Sequence, residues 1–390
     1  MAGEEKITEI SDLPLSLVME ILSRLPMKTL FNCKLVCKTW PHLISYPLFL
    51  ELQVARPFTD IMVQIKSRIF LTHVEERATD NNILEVEKTH FDIKVKFPGC
   101  NFDVVGSCNG LLCLEITKLT GFKSDPDYRN DPGYKSVCVC NPFLDEYITI
   151  PIIPMEERDI MRLGFGNSAL SKQYKVIQLF YYGDSHKYLR AEIYTIGTGR
   201  WRSVGNAPGK ACCLDRYGGA FLHVSLHTVH YYSGPYGFIC VFDFESEKFR
   251  QFSLPLQCAN ERFRGLISLG VVEGCLCMSI STHSNPKEFC IWVMKEYGFR
   301  DSWTKQFVIE NVNIHPYFDY YMPLIFFSNG KILMNRKGLY VASYVTRLKR
   351  FQKSIVYNSG EMIWAIKFKP TFVSVQDIAP GEQLSSVRCL

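Results

Sequence analysis

Residues 240–255 read CVFDFESEKFRQFSLP: an apolar run, a charged turn at Glu245–Lys248, an aromatic at Phe249, then a second apolar run closed by Pro255. The same order recurs in CVCNPFLDEYITIP (138–151), AEIYTIGTGRWRSV (191–204), CIWVMKEYGFRDSWTKQFVI (290–309) and LYVASYVTRLKRFQKSIV (339–356). The aromatics that follow the turn are Tyr147, Trp201, Phe249, Trp303 and Phe351, spaced 54, 48, 54 and 48 residues apart, and Phe97 precedes Tyr147 by 50.

A period near fifty belongs to propeller blades of the kelch type, each a four-stranded antiparallel sheet. Other short runs fit strands: Ile69–Val74, Val137–Cys140, Tyr174–Tyr182, Phe238–Phe244, Gly265–Val272, Phe289–Met294 and Lys331–Asn335. Turn residues punctuate them, as in all-β chains. Asn109-Gly110, Glu273-Gly274 and Asn329-Gly330 stand between apolar runs, where a tight hairpin joins the first two strands of a blade. The expected fold is a large all-β, kelch-like propeller of six blades. Closure would come from pairing Met362–Phe368 or Thr371–Val375 with strands near Ile69–Val74. Five full blades and an irregular closing sheet is the alternative.

Working back toward the N-terminus, the period changes. Leu17, Val18, Ile21, Leu22 and Leu25 form one stripe of an amphipathic helix. Ser11 and Asp12 can accept its free N–H groups, Pro14 suits the first turn, and Pro26 stops it. A second helix runs from about Lys28 to Leu35, and a third carries Trp40, Leu43 and Ile44, with Pro41 in its first turn. Three helices in forty residues bury little surface alone. Such a unit completes its core against a partner or against its own neighbouring domain.

Leu13-Pro14, Glu20-Ile21-Leu22, Arg24-Leu25-Pro26, Lys28, Leu30, Lys34, Val36-Cys37-Lys38, Trp40, Leu43-Ile44 and Pro47 together resemble the F-box of plant proteins. Pro41 departs from it, since that position is often basic or polar. The resemblance implies binding of a Skp-type adaptor, and through it a cullin, by Leu13, Pro14, Ile21, Leu22, Leu25, Pro26, Leu30, Val36, Trp40 and Leu43. Some of these must also hold the helices together. GSCNGLLCL (106–114), NPFLDEYITIP (141–151), LGFG with YKVIQLF (163–166 and 174–180), VFDFESEKFRQFSLP (241–255) and IWVMKEYGFRDSWTKQFVI (291–309) resemble the F-box-associated domain. Trp201-Arg202-Ser203 and Leu226-His227 fit it too, while Thr228 stands where that family often has Trp. The expected organisation is a disordered 1–10, an F-box over 11–56, the β domain over 57–376 and a flexible tail over 377–390.

The function so implied is substrate recognition within an SCF-type ubiquitin ligase, the chain itself not being an enzyme. An adaptor-binding protein with a non-ligase role, or a ligand-binding propeller, are the alternatives. No nucleophile elbow, phosphate loop, HExxH or EF-hand loop appears, and no cofactor or metal is expected. His223, His227 and His230 lie on a hairpin whose turn, expected near Ser225–Leu226, separates them. Cys138/Cys140 and Cys275/Cys277, two apart on strands, read as buried thiols rather than zinc ligands. The net charge of +5 is dispersed, so no nucleic-acid surface is expected, and no apolar run is long enough to cross a membrane as a helix. Met1–Ile10 is acidic and lacks a secretory apolar core, which points to the cytoplasm or nucleus.

In a blade whose strands run a-b-c-d, the a-b and c-d turns share one face, and the b-c loops and blade-to-blade connections share the other. Ile196–Arg200 and Glu245–Lys248 are compact, while Thr117–Lys135, Gly183–Tyr188, Asn206–Gly218, Ser233–Gly237, Gln257–Arg264, Ser281–Lys287 and Asn311–Met322 are long. Recognition concentrates in loops on a rigid scaffold and favours aromatics and Arg. The candidate target-binding residues are therefore Tyr128, Arg129, Tyr134, Tyr217, Tyr236, Arg262, Arg264, Tyr317, Phe318, Tyr320 and Tyr321.

Overall fold

The computed structural model describes residues 13–25, 27–34, 36, 39–44, 46, 48–49, 52, 60–65, 68–74, 86–91, 100–118, 134–151, 158–182, 189–208, 219–230, 237–259, 267–281, 288–310, 321–336, 340–355, 363–382 and 385–386. They form three short helices before the first strand, two one-turn helices further along the chain, and six four-stranded antiparallel blades. Blade 1 contains β1 (Asp60–Ile65), β2 (Arg68–Val74) and β3 (Val86–Phe91), with β24 (Ile363–Lys367) on the inner side of β1. Blade 2 is β4 (Cys100–Cys108), β5 (Leu111–Lys118), β6 (Tyr134–Asn141) and β7 (Glu146–Pro151), extended by β25 (Ser385–Ser386). Blade 3 is β8 (Arg158–Asn167), β9 (Tyr174–Tyr182), β10 (Leu189–Thr195) and β11 (Trp201–Ala207). Blade 4 is β12 (Ala220–Leu222), β13 (Ser225–His230), β14 (Phe238–Asp243) and β15 (Lys248–Ser253). Blade 5 is β16 (Ile267–Val272), β17 (Cys275–Ser281), β18 (Phe289–Met294) and β19 (Trp303–Ile309). Blade 6 is β20 (Tyr321–Phe326), β21 (Lys331–Arg336), β22 (Tyr340–Val345) and β23 (Arg350–Ile355).

The repeat seen in the sequence lands on one structural position. Tyr147, Trp201, Phe249, Trp303 and Phe351 are each the first or second residue of their blade's fourth strand, opposite Cys140, Tyr194, Phe242, Met294 and Tyr344. Trp303 is buried and its indole N–H donates to the Ser253 carbonyl of blade 4 at 3.3 Å. Phe97, which precedes Tyr147 in the same spacing, lies outside the described residues.

Each pair of neighbouring blades shares an apolar cluster, so both faces of a blade are buried. That explains uninterrupted runs such as FCIWVM, buried throughout β18. Cys138, Cys140 and Cys277 belong to these seams as thiols.

The ring closes as the late strand was expected to close it, with one shift. β24 pairs with β1, not with the Ile69–Val74 strand, which lies one position further out. The first strand, DIMVQI, is short and was not among the runs read from the sequence. The blade 4 hairpin turns at His223–Val224, two residues earlier than expected, with both residues at positive φ (46° and 52°). A two-residue turn of that hand matches the strand twist, which outweighs the poor fit of Val224 to it.

The chain does not become a loose tail at 377. After β24, residues 368–374 cross the compact-turn face, α5 (Val375–Ile378) packs on the seam of blades 2 and 3, and Ala379 is buried. Glu382 then accepts from the Tyr194 hydroxyl at 3.0 Å and the Gly197 amide at 2.5 Å. β25 pairs with β7 beyond it. These bonds fasten the segment across sequence distances that no local pattern reports. A short α4 (Leu256–Ala259) leads from blade 4 toward blade 5.

Candidate interaction surfaces

The helical module begins at Pro14, the N-cap of α1 (Leu15–Ser23), whose carbonyl accepts from Leu17 N–H at 2.9 Å and Val18 N–H at 3.2 Å. Ser11, Asp12 and Pro26 lie outside the described residues. Glu20 and Arg24, four apart, pair on the solvent side. α2 spans Met27–Cys33 and α3 spans Trp40–Ile44, with Pro41 in the first turn, where its missing N–H costs nothing.

Val18, Met19, Leu22, Leu30, Cys33, Ile44 and Phe49 make the module's core, and Leu13, Leu25, Trp40 and Leu43 pack against it half-buried. Two residues read as adaptor contacts are therefore unavailable from outside: Leu22 is 2% exposed and Leu30 fully buried. They hold the three helices together. Others remain outside. Pro14 is exposed, Ile21 is 51% and Val36 67% exposed, and Leu15 and Leu17 join them, so that Leu17 and Ile21 stand one turn apart on α1. Leu15 did not enter the sequence reading. It stands three, four and seven residues before the buried Val18, Met19 and Leu22, on their side of α1, and is exposed as the first residue of the helix.

The module sits on the compact-turn face of the propeller. Phe372 from the crossing segment is a buried member of its core, and Leu144, in the turn between β6 and β7, packs beside it. Lys34 lies over the Phe372 ring, 4.0 Å from its centroid. Burial pulls the Lys34 pKa down, and the Glu146 carboxylate works against that shift.

Asn141 organises this seat. Its buried amide donates to the carbonyls of Thr371 (3.0 Å) and Val373 (2.8 Å), while its oxygen accepts from Phe143 N–H (2.9 Å) and Leu144 N–H (3.4 Å). Glu146 accepts from the Ser374 hydroxyl at 2.8 Å and Val375 N–H at 2.7 Å, and Ser374 caps α5 through Gln376 N–H. One strand end thus ties the crossing segment, the blade 2 turn and the helical module into a single joint.

The opposite face carries the b-c loops and the blade-to-blade connections. Tyr128, Arg129, Tyr217, Tyr236, Arg262, Arg264, Tyr317, Phe318 and Tyr320 lie outside the described residues, as does the side chain of Tyr134, which pairs through its backbone with Lys118 at the end of β6. Tyr321 is placed, and it is not a loop residue. It opens β20, is 3% exposed, and stacks on Phe289 (4.8 Å) and Phe351 (5.1 Å) in the seam of blades 5 and 6. Its ring is core, and Arg336 sits over it at 5.7 Å. Blade 1 also breaks the expected division of loops. Its b-c connection is residues 66–67 and its c-d connection residues 75–85, the reverse of the pattern in the other blades.

Of the three histidines, His223 is at a turn while His227 and His230 are buried in β13. His227 Nδ1–H donates to the Ala220 carbonyl at 3.0 Å, and its Nε2 accepts from the Tyr297 hydroxyl at 2.8 Å. His230 stacks on Phe238 at 5.0 Å. Burial lowers both pKa values to about 4. His227 is thus a neutral bridge between blades 4 and 5. Among the described residues no group of three or more His, Cys, Asp or Glu is placed to hold a metal.

Residues 60–377 match the family model described as the F-box associated beta propeller domain, and residues 10–52 match that of the F-box domain. The F-box protein At3g07870 of Arabidopsis thaliana is 27% identical over 77% of this chain and 73% of its own length. The F-box protein CPR1 of the same plant is 25% identical, covering 83% of this chain and 79% of its own. The F-box/kelch-repeat protein At3g23880, also from Arabidopsis thaliana, is 26% identical over 94% of this chain and 97% of its own length. With the helical module, the six blades and these relatives in agreement, the chain belongs to the plant F-box proteins that carry an F-box-associated β-propeller domain.

Proposed function

We propose that this protein is the substrate-recognition subunit of an SCF-type ubiquitin ligase, acting in the cytoplasm or nucleus and performing no chemistry itself. The helical module binds a Skp-type adaptor through Pro14, Leu15, Leu17, Ile21 and Val36, and through the adaptor a cullin. The propeller binds a target protein with its loop-bearing face. The target is held near a charged conjugating enzyme, so the contribution to ubiquitin transfer is effective concentration.

The observation that carries this reading is the exposure of apolar Leu17 and Ile21, one turn apart on α1, together with exposed Leu15 and Val36, on a module whose inward residues are already satisfied. A cluster of exposed apolar side chains on a small unit marks an interface. The module's seat on the compact-turn face leaves the loop face turned away, so adaptor and target do not compete for one surface.

The test is co-purification of the full chain with adaptor and cullin, followed by assay of ubiquitin transfer in the recovered complex. Leu17→Asp with Ile21→Asp should leave the propeller folded and abolish adaptor capture. Capture at wild-type strength by the folded double variant refutes the adaptor surface. Capture of adaptor without cullin or transfer activity refutes the ligase role.

A further inference from the structure

A cavity of about 690 Å³ lies on the propeller axis, bounded by the innermost strands of all six blades. Its size is within the range of small-molecule sites. Most apolar residues of these strands are buried against a neighbouring blade. Val105, Phe221, Val271, Met322 and Trp364 are not: each lines the cavity and stays half-buried, and Phe165 of blade 3 completes the wall. The apolar surface that the blades leave uncovered is thus turned toward the axis, where a guest would remove it from water. Gly106 of β4 leaves room there, since a Cβ on it would meet no atom within 4 Å.

The charges on this wall answer one another. Lys367, the last residue of β24, donates to the Val271 carbonyl of blade 5, and the Glu273 carboxylate two residues further on favours its charged form. An entering anion would meet repulsion from Glu273, and an entering cation would meet Lys367. Lys369, Pro370 and Thr371 of the crossing segment line the compact-turn end of the cavity. They lie so close to the Asn109-Gly110 turn that a Cβ on Gly110 would stand 2.5 Å from the Lys369 carbonyl oxygen. The next residue, Phe372, belongs to the core of the helical module.

We infer that the axial cavity binds an uncharged, rigid ring compound, packed between its half-buried wall and the crossing segment. Apolar contact and shape hold such a guest, and a fused ring meets Phe221 and Trp364 with little conformational entropy to lose. The crossing segment carries Thr371 at the cavity and Phe372 in the module, so occupation of the cavity restrains the stretch on which the module sits. The site is separate from the adaptor surface and from the loop face, so it stands or falls without the ligase reading.

Titration calorimetry of the full chain tests this with 2-naphthalenemethanol, 2-naphthoate and 2-naphthylmethylammonium, one ring system in three charge states. The alcohol is expected to bind at least about tenfold more tightly than either ion. Gly106→Phe places a side chain in the open space and should abolish binding of the alcohol. Saturating alcohol should also slow hydrogen exchange at residues 368–374. No binding of the alcohol at millimolar concentration, or an ion bound as tightly, overturns the proposal. So does wild-type affinity in the folded Gly106→Phe variant, or unchanged exchange at residues 368–374. Should that variant not fold, Val271→Phe, across the ring on blade 5, decides: loss of alcohol binding supports the axial site, and retained binding overturns it.

Discussion

The helical module and the propeller solve the same problem at different scales. In the propeller every blade buries both faces, and the core is divided among six seams that each bring residues from two blades. The module has one small core, needs Phe372 and Leu144 from the propeller, and still leaves Leu15, Leu17, Ile21 and Val36 in solvent. A large repeating core can be complete in itself. A core of three short helices cannot, and the apolar surface left over is what a partner can recognise.

The contrast fails most visibly if the propeller seams are not where its stability resides. Trp303→Ala should cost about 3–5 kcal/mol, because the buried indole fills the seam of blades 4 and 5. Trp201 holds the equivalent position but is only partly buried against Tyr194, so its replacement should cost less. Urea unfolding of the full chain measures both, and equal losses would show that strand position, not burial, sets the cost.

Phe372→Ala probes the other side of the comparison. Its expected cost of about 3 kcal/mol falls on the helical module, which loses part of its core and the Lys34 contact. Hydrogen exchange should quicken in α1–α3 while blades 3 to 6 stay protected. Uniform acceleration would mean that the two parts unfold as one.

Acid separates them as well. The pKa values of His227 and His230 are depressed by burial to about 4, so the folded state disfavours their protonation. Their contribution is complete above pH ~6.5 and is lost as pH falls through 4, by about 3 kcal/mol each. His42 of α3 is exposed and takes no part in this burial. Among the described residues the His230 ring nitrogens have no hydrogen-bond partner, so His230→Phe should keep the stack on Phe238 and flatten the loss of stability between pH 6.5 and 4. An unchanged pH slope in unfolding would remove His230 from the account.

The smallest expected change in stability comes from the exposed apolar residues of α1. Leu17→Ala should move the midpoint by no more than about 0.5 kcal/mol. Adaptor affinity, read by calorimetry, should fall by roughly 2 kcal/mol if Leu17 is an interface anchor. A stability loss with unchanged affinity would reassign Leu17 to the module's core.

What the sequence made legible follows the same division. A repeating seam imposes a repeating residue, so the five outer-strand aromatics and the Asn109-Gly110 and Glu273-Gly274 turns could be read as blades. Tyr321 was misread for a reason of register. It sits beside Tyr320 at the edge of a long connection, and the bulge between Pro323 and Ile325 hides where β20 begins to alternate. The two duties of the helical stripe were inseparable in sequence, because Leu22 facing in and Ile21 facing out are both apolar. Least legible was the joint at Asn141, whose amide partners lie 230 and 232 residues away. Locally Asn141 announces only a turn, through its bonds to Phe143 and Leu144.

That joint sets a schedule for synthesis. The helical module leaves the ribosome ahead of the propeller, yet the ring that completes its core belongs to residue 372. The strand that closes blade 1 also arrives only at residues 363–367. A chain interrupted before that point has an open ring and an unseated adaptor module at once. The same few residues therefore finish the recognition domain and fix the pose in which its partner machinery is offered, so an incomplete translation product is denied both.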